Sequence, residues 1–236
     1  MNNILLPTDF SKNSKNAIKY ALKFFEGEKC TFHILNSQKP SGYITAVDFD
    51  NVVDAVNQAV ALNNIELIIM GSNGATGAAE VIFGSNTLKI IRNVDCPVIV
   101  IPEGFAFEKI KSVLLSLNYQ YDVANKSLKI ISEIVNKHNA SLKILEIEEE
   151  SIELSSQRNH TEEVFKEIGF ERFSIKNIPA SMAINAFEQL IPVQLHAMIV
   201  ERKSFFDRFI FGSETSKINY GSLVPLLVLH KGIISQ

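Results

Sequence analysis

The chain has 236 residues, a formal net charge of −3, 46% hydrophobic and 21% charged residues. That is the composition of a globular protein with a real core, sized for one large domain or two small ones. It carries neither the basic surplus of a nucleic-acid binder nor a Lys/Arg run suited to a membrane surface, and no apolar run approaches the roughly 18 residues of a membrane span.

The stretch Met1 to Pro7 lacks the basic region and the apolar length of a signal peptide. Cys30 and Cys96 lie far apart without CxxC spacing. Together these predict a cytoplasmic protein whose two thiols are reduced and buried.

In chain order, Asn3 to Leu6 is a short apolar strand, and Pro7-Thr8-Asp9-Phe10-Ser11 is a turn in which Asp9 or Ser11 caps the next helix. That helix runs from about Ser14 to Phe25, with Ala17, Ile18, Ala21, Leu22 and Phe25 on one face, and Gly27 ends it. A strand at Cys30 to Leu35, a polar turn at Asn36 to Gly42, and a helix from about Asp50 to Leu62 follow. Then come a strand at Glu66 to Met70, a glycine loop, a helix from Ser85 to Asn93 and a strand at Pro97 to Ile101. Strands alternating with helices predict a parallel sheet covered on both faces.

Pro102 to Lys109 reads as a linker, after which the pattern restarts. Val113 to Gln120 echoes Ile4 to Ser11, Asn125 to His138 echoes the first helix, and Ser141 to Ile147 echoes the second strand. Ile210-Phe211-Gly212-Ser213-Glu214-Thr215 echoes Ile82 to Thr87, and Val224 to Leu229 echoes Cys96 to Ile101. The later echoes are spaced more widely than the early ones. The second half therefore spends extra residues on a helix, Glu162 to Ile168, and a strand, Arg172 to Ile178, for which the first half has no counterpart.

The glycine loop carries the strongest chemical signal. Leu67-Ile68-Ile69-Met70 runs into Gly71-Ser72-Asn73-Gly74, nine residues intervene, and Gly84-Ser85-Asn86-Thr87 opens a helix. Glycines and small hydroxyls thus stand where a strand ends and a helix begins, the place where a parallel α/β sheet takes ligands. Free N–H groups and the helix dipole favour an anion such as phosphate there. Gly71 and Gly74 let backbone approach a ligand, or simply make a turn; Ser85 meets a phosphate, or simply caps the helix. Ala75 to Phe83 holds no Lys or Arg, and no Gly-Lys-Ser/Thr of a Walker A loop follows the glycines.

These residues, Pro7-Thr8-Asp9-Phe10-Ser11, Met70-Gly71-Ser72-Asn73-Gly74 and Gly84-Ser85, with a Pro97 to Ile101 terminus, resemble the universal stress protein family and the glycine pattern of its nucleotide-binding branch. The resemblance implies two tandem adenine-nucleotide alpha-hydrolase-like (Rossmann-like) domains, 1–103 and a degenerate 110–233. Each is a parallel five-strand-type sheet flanked by helices, the first lacking a helix–strand pair. It implies ATP or another adenine nucleotide, with or without Mg2+, held in the first domain by Pro7, Thr8, Asp9, Ile34, Met70, Gly71, Asn73, Gly74, Gly84, Ser85, Asn86 and Thr87. In that set Asp9 lies near the nucleoside, its alternative being a helix cap, and Ile34 lines the base pocket, its alternative being plain core.

Where relatives carry a basic or imidazole side chain this chain has Asn73, which predicts affinity in the micromolar range or weaker. Lys89 and Arg92 belong on the solvated face of their helix.

In the second half Ile199, Arg202 and Asn118 replace Gly71, Gly74 and Asp9, so no nucleotide is expected there. Arg202, Lys203 and Arg208 form a solvated loop or attract an anion, and Phe205, Phe206, Phe209 and Phe211 form an apolar plug or contact surface. Glu148-Glu149-Glu150 is a solvated turn. His33, His138, His160, His196 and His230 show neither metal spacing nor a neighbouring nucleophile, so no catalytic or metal residues are assigned.

The first functional expectation is a nucleotide-binding regulatory protein with an unidentified protein partner. The alternatives are a scaffold of the same fold and a slow ATP hydrolase with Asp9 as the only candidate for its base or metal ligand. Pairing of Pro97 to Ile101 with Pro225 to Leu229 would make a pseudo-dimer within the chain, with homodimerisation as a further step.

Overall fold

A computed structural model describes residues 1–36, 52–73, 83–117, 125–148, 155–200 and 224–230. The chain divides into two compact units, Met1–Phe107 and Glu108–Gln236.

The first unit runs β1 (Asn3–Pro7), α1 (Lys12–Phe24), β2 (Thr31–Leu35), α2 (Val52–Asn63), β3 (Leu67–Gly71), α3 (Ser85–Asn93), β4 (Val98–Ile101). Its strand order is β2-β1-β3-β4, and every pair is parallel. β3 and β4 are buried at every residue, as expected of strands covered on both faces. Helix α1 turns Ala17, Tyr20, Ala21 and Phe24 inward at helical spacing and packs across β3 and β4. Helix α2 packs against β1 and α3.

The boundary between the units falls inside the segment expected to be a linker, Pro102 to Lys109, and its part up to Phe107 packs on this unit. The rings of Phe105 and Phe107 pack on Tyr20 with centroids 6.3 and 5.2 Å away, and Asn16 Nδ2 donates to the Phe105 carbonyl at 2.8 Å. Two phenylalanines supply more apolar area than a solvated linker would leave in water. Burial pushes the Tyr20 hydroxyl well above the usual phenol range, so it stays neutral.

The second unit runs β5 (Ser112–Leu117), α4 (Asn125–His138), β6 (Ser141–Glu148), α5 (Ser155–Phe165), β7 (Glu171–Lys176), α6 (Ala180–Leu190), β8 (Leu195–Val200), β9 (Leu226–His230). Its order is β9-β8-β5-β6-β7, again parallel throughout. The extra helix–strand pair is α5 and β7. The helix begins and ends earlier than expected, and the strand stops at Lys176 because Asn177 turns the chain with φ 61.

That pair has a measurable consequence. Ile34 on β2 and Ile144 on β6 hold equivalent positions, opposite Leu6 and Leu115. Ile144 is covered by β7 and is fully buried, whereas Ile34, on the edge strand of the first unit, is 64% exposed. The plain-core reading of Ile34 is thereby excluded. Cys96 is buried as expected, but Cys30 is only half-buried, and neither is in a disulfide.

Glu66, just before β3, accepts from the N–H groups of Asn2 and Asn3 and ties the start of the chain to the sheet. The Asn2 N–H bond holds its carboxyl below the usual range. A depressed folded-state pKa stabilises above the unfolded value, and that contribution is lost as pH falls through the folded one. Glu66→Gln should therefore lower Tm slightly at pH 7, the stability loss being no more than a few tenths of a kcal/mol for so exposed a group. The gap to wild type should close at a pH below the ordinary carboxylate range. A Tm difference that persists unchanged into strong acid would contradict it.

Candidate functional site

The carboxyl ends of β1, β2 and β3 in the first unit gather the residues the sequence singled out. After β1 ends at Pro7, the Thr8 N–H donates to the Leu35 carbonyl and Asn36 Nδ2 donates to the Thr8 carbonyl, both at 2.8 Å. The Thr8 hydroxyl donates to Ser14 Oγ and accepts the Phe10 N–H, each at 3.0 Å. Asp9 Oδ1 accepts the Ser11 N–H at 3.0 Å, and Ser11 Oγ accepts the Ser14 N–H at 3.1 Å. Ser11 therefore caps α1, while Asp9 braces the turn before it. The turn forces Phe10 to φ 60 and leaves it 56% exposed.

Beside it, β3 ends with buried Met70 and Gly71. The Ser72 carbonyl accepts the Gly84 N–H at 2.7 Å and the Thr87 hydroxyl at 3.0 Å, and that hydroxyl also reaches the Gly71 carbonyl at 3.2 Å. Thr87 is thus buried and fastens α3 to the end of β3; its hydroxyl faces inward. Gly84 is the cap residue of α3 and supplies no side-chain cap bond. Ser85 and Asn86 stand exposed in the first turn, so Ser85 is not the cap. This end of α3 carries the positive pole of its dipole. Lys89 is exposed, and Arg92 lies in the last turn, roughly 10 Å along the axis from the first at 1.5 Å per residue.

Gly71 has a reason that the sequence did not disclose. A Cβ there would lie 2.7 Å from Asn13 Nδ2. Asn13, buried in the first turn of α1, fills that space and donates to the Asn73 carbonyl at 2.8 Å. The Oδ1 atoms of Asn13 and Asn73 are buried and have no hydrogen-bond partner among the described residues. Asn73 Nδ2 lies 3.5 Å from the Glu103 carboxylate. The side chains here supply acceptors suited to hydroxyl donors, and the helix end is suited to an anion. Gly74 lies outside the described residues. Among the described residues no group of three or more His, Cys, Asp or Glu could hold a metal ion, and no helix is long and apolar enough to cross a membrane.

In the second unit Ile199 stands half-buried on β8, at the position of Gly71. Asn118, Glu149, Glu150, Arg202, Lys203, Phe205, Phe206, Arg208, Phe209, Phe211, Gly212, Ser213 and Thr215 lie outside the described residues. His196 is hydrogen-bonded, and the fold brings a hydroxyl to it that the sequence spacing did not show. His196 Nε2 is 2.8 Å from Ser116 Oγ, and His196 Nδ1 is 2.9 Å from Glu188 Oε1. Ser116 and His196 lie on one face of paired strands, and Glu188 reaches them from α6. All three are buried, so the arrangement is a hydrogen-bond network inside the core. The equivalent positions in the first unit are Pro7, Ile68 and Val60, all apolar. Polar residues replacing apolar ones in the repeat are the signal that could have revealed the network.

Residues 37–102 match the family described as "Universal stress protein family". A universal stress protein from Archaeoglobus fulgidus DSM 4304 superposes with a TM-score of 0.67 at 22% identity, over 98% of this chain and 99% of that one. A functionally unknown protein from Pseudomonas aeruginosa PAO1 gives 0.57 at 15% identity, over 97% of this chain and 82% of that one. The cytoplasmic domain of a prokaryotic cation chloride cotransporter gives 0.52 at 10% identity, over 96% and 94%. No curated protein sequence matches.

Proposed function

Taking the universal stress protein family match over residues 37–102 as the premise, we propose that the first unit binds ATP or a related adenine nucleotide and that the chain acts as a nucleotide-responsive regulator. One observation carries this reading: the order of chemistry across three adjacent strand ends. β2 offers exposed Ile34, β1 offers the Asp9 carboxylate, and β3 leads to Asn73 and the uncapped first turn of α3. Adjacent strands lie about 4.8 Å apart, so the span from β2 to β3 is about 10 Å, close to the reach from a base to its first phosphate. Ile34 would line the base, Asp9 would accept the sugar hydroxyls, and the N–H groups around Ser85 and Asn86 would hold phosphate. A bound Mg2+ would add positive charge at the phosphates. The loop Ala75 to Phe83 contains no Lys or Arg to add any, so binding is modest.

A second reading, a scaffold of the same fold, is favoured by one observation. The space above Gly71 is filled by Asn13 rather than left open.

Asn86→Glu separates the two readings. A carboxylate in the first turn of α3 complements the dipole, so Tm should hold or rise, while it repels phosphate. ATP affinity, measured by calorimetry, should fall by about tenfold or more, on the order of 1.4 kcal/mol. Unchanged ATP affinity in a folded Asn86→Glu chain would contradict nucleotide binding at this helix.

A further inference from the structure

Phe10 combines two uneconomical features. Its φ of 60 is the left-handed conformation, which is unfavourable for a bulky L-residue. Its ring is 56% exposed, so the position recovers little by burial. The strain is imposed by a turn locked through the Thr8 hydroxyl and the Asp9 carboxylate. Asparagine or glycine would satisfy that turn without strain. An exposed, strained aromatic is therefore explained better by what its ring contacts than by the fold.

Its placement names the contact. Among the described residues of the first unit the exposed large apolar side chains are Phe10, Leu22, Ile34 and Leu62. Leu22 and Leu62 sit on helices α1 and α2. Ile34 instead sits near the carboxyl end of β2, and Phe10, with Asp9 adjoining it, in the turn that leaves the carboxyl end of the neighbouring parallel strand β1. Resting on the nucleotide reading above, we propose that Phe10 is a specificity-determining residue whose ring provides, with Ile34, an apolar platform for the planar base of the bound nucleotide. Ring faces stack on any base, so the platform favours ligands that carry a base over those with phosphates alone and discriminates weakly between bases.

Phe10→Asn is the test, with Phe10→Trp as the conservative variant and sodium tripolyphosphate as the probe without a base. Calorimetry on the full chain should show ATP binding weakened about tenfold in Phe10→Asn, with tripolyphosphate binding unchanged and Tm equal or higher. Phe10→Trp should keep the wild-type ATP affinity. Equal losses for both ligands would make Phe10 a shaper of the turn only and overturn the proposal, as would no loss for either. A wild-type chain that binds tripolyphosphate as tightly as ATP would overturn the platform while leaving the phosphate site standing. A wild-type chain that binds neither would remove the nucleotide reading itself, and the platform with it.

Discussion

His196→Ala should destabilise the chain by about 3–5 kcal/mol, the cost of breaking a buried, hydrogen-bonded ionisable pair by removing one member. The substitution takes the 2.8 Å partner from Ser116 and the 2.9 Å partner from Glu188 Oε1, both in the core, and leaves a cavity where the imidazole stood. Glu188→Ala should cost a comparable amount. The first unit supplies the control, because the same fold there places Pro7, Ile68 and Val60 at these positions. The triple replacement Ser116→Ala, His196→Ile, Glu188→Val should therefore recover most of the loss, to within about 1–2 kcal/mol of wild type, because replacing all the partners by apolar groups leaves no buried polar group unsatisfied. Urea unfolding of the full chain reads all of these variants. A loss below about 1 kcal/mol for His196→Ala would show that the network carries little of the stability of the second unit.

Gly71→Ala should cost about 1–3 kcal/mol by overpacking. The new Cβ would stand 2.7 Å from Asn13 Nδ2 and 2.8 Å from its Cγ, so Asn13 must move and give up its bond to the Asn73 carbonyl. Asn13→Ala alone forfeits about 1 kcal/mol for that bond. In the double variant the clash is gone, so the combined loss should fall short of the sum by about 1 kcal/mol or more. Strict additivity would mean that Gly71 is not held to glycine by Asn13. The distinction matters for function: a Gly71 variant that fails to bind ligand would report the docking of α1 on β3 as well as any direct contact.

Much of the architecture was legible because the signals are local. Leu67 to Met70 and Val98 to Ile101 are continuous apolar runs, and the helix at Ser85 to Asn93 begins and ends where the sequence placed it. The repeat arithmetic located the additional helix–strand pair, although its helix begins at Ser155, within a polar run that lacks apolar periodicity.

What escaped the sequence depends on partners distant along the chain. Phe105 and Phe107 look like residues of a linker until Tyr20 is brought beneath them. Helix α6 follows Pro179 without a side-chain cap, and only the recurrence of Ala180, Ala183, Ile184 and Phe187 at helical spacing marks it in the sequence. Ser116, Glu188 and His196 are unremarkable singly and meaningful only when two strands and a helix bring them together. At the candidate site the residue types pointed to the carboxyl end of the sheet, where the fold gathers them, but not to their division of labour. Thr87 and Thr8 turn inward to hold the frame, and the exposed groups are Phe10, Ile34, Ser85 and Asn86.

The most direct measurement is a calorimetric titration of ATP, with and without Mg2+, into the full wild-type chain, accompanied by a thermal shift at the same concentrations. The account predicts saturation near one ATP per chain with a micromolar Kd, and a stabilisation of about 2.7 kcal/mol when free ATP reaches 100 times Kd. No heat and no thermal shift at millimolar ATP would contradict nucleotide binding and leave the scaffold reading in its place.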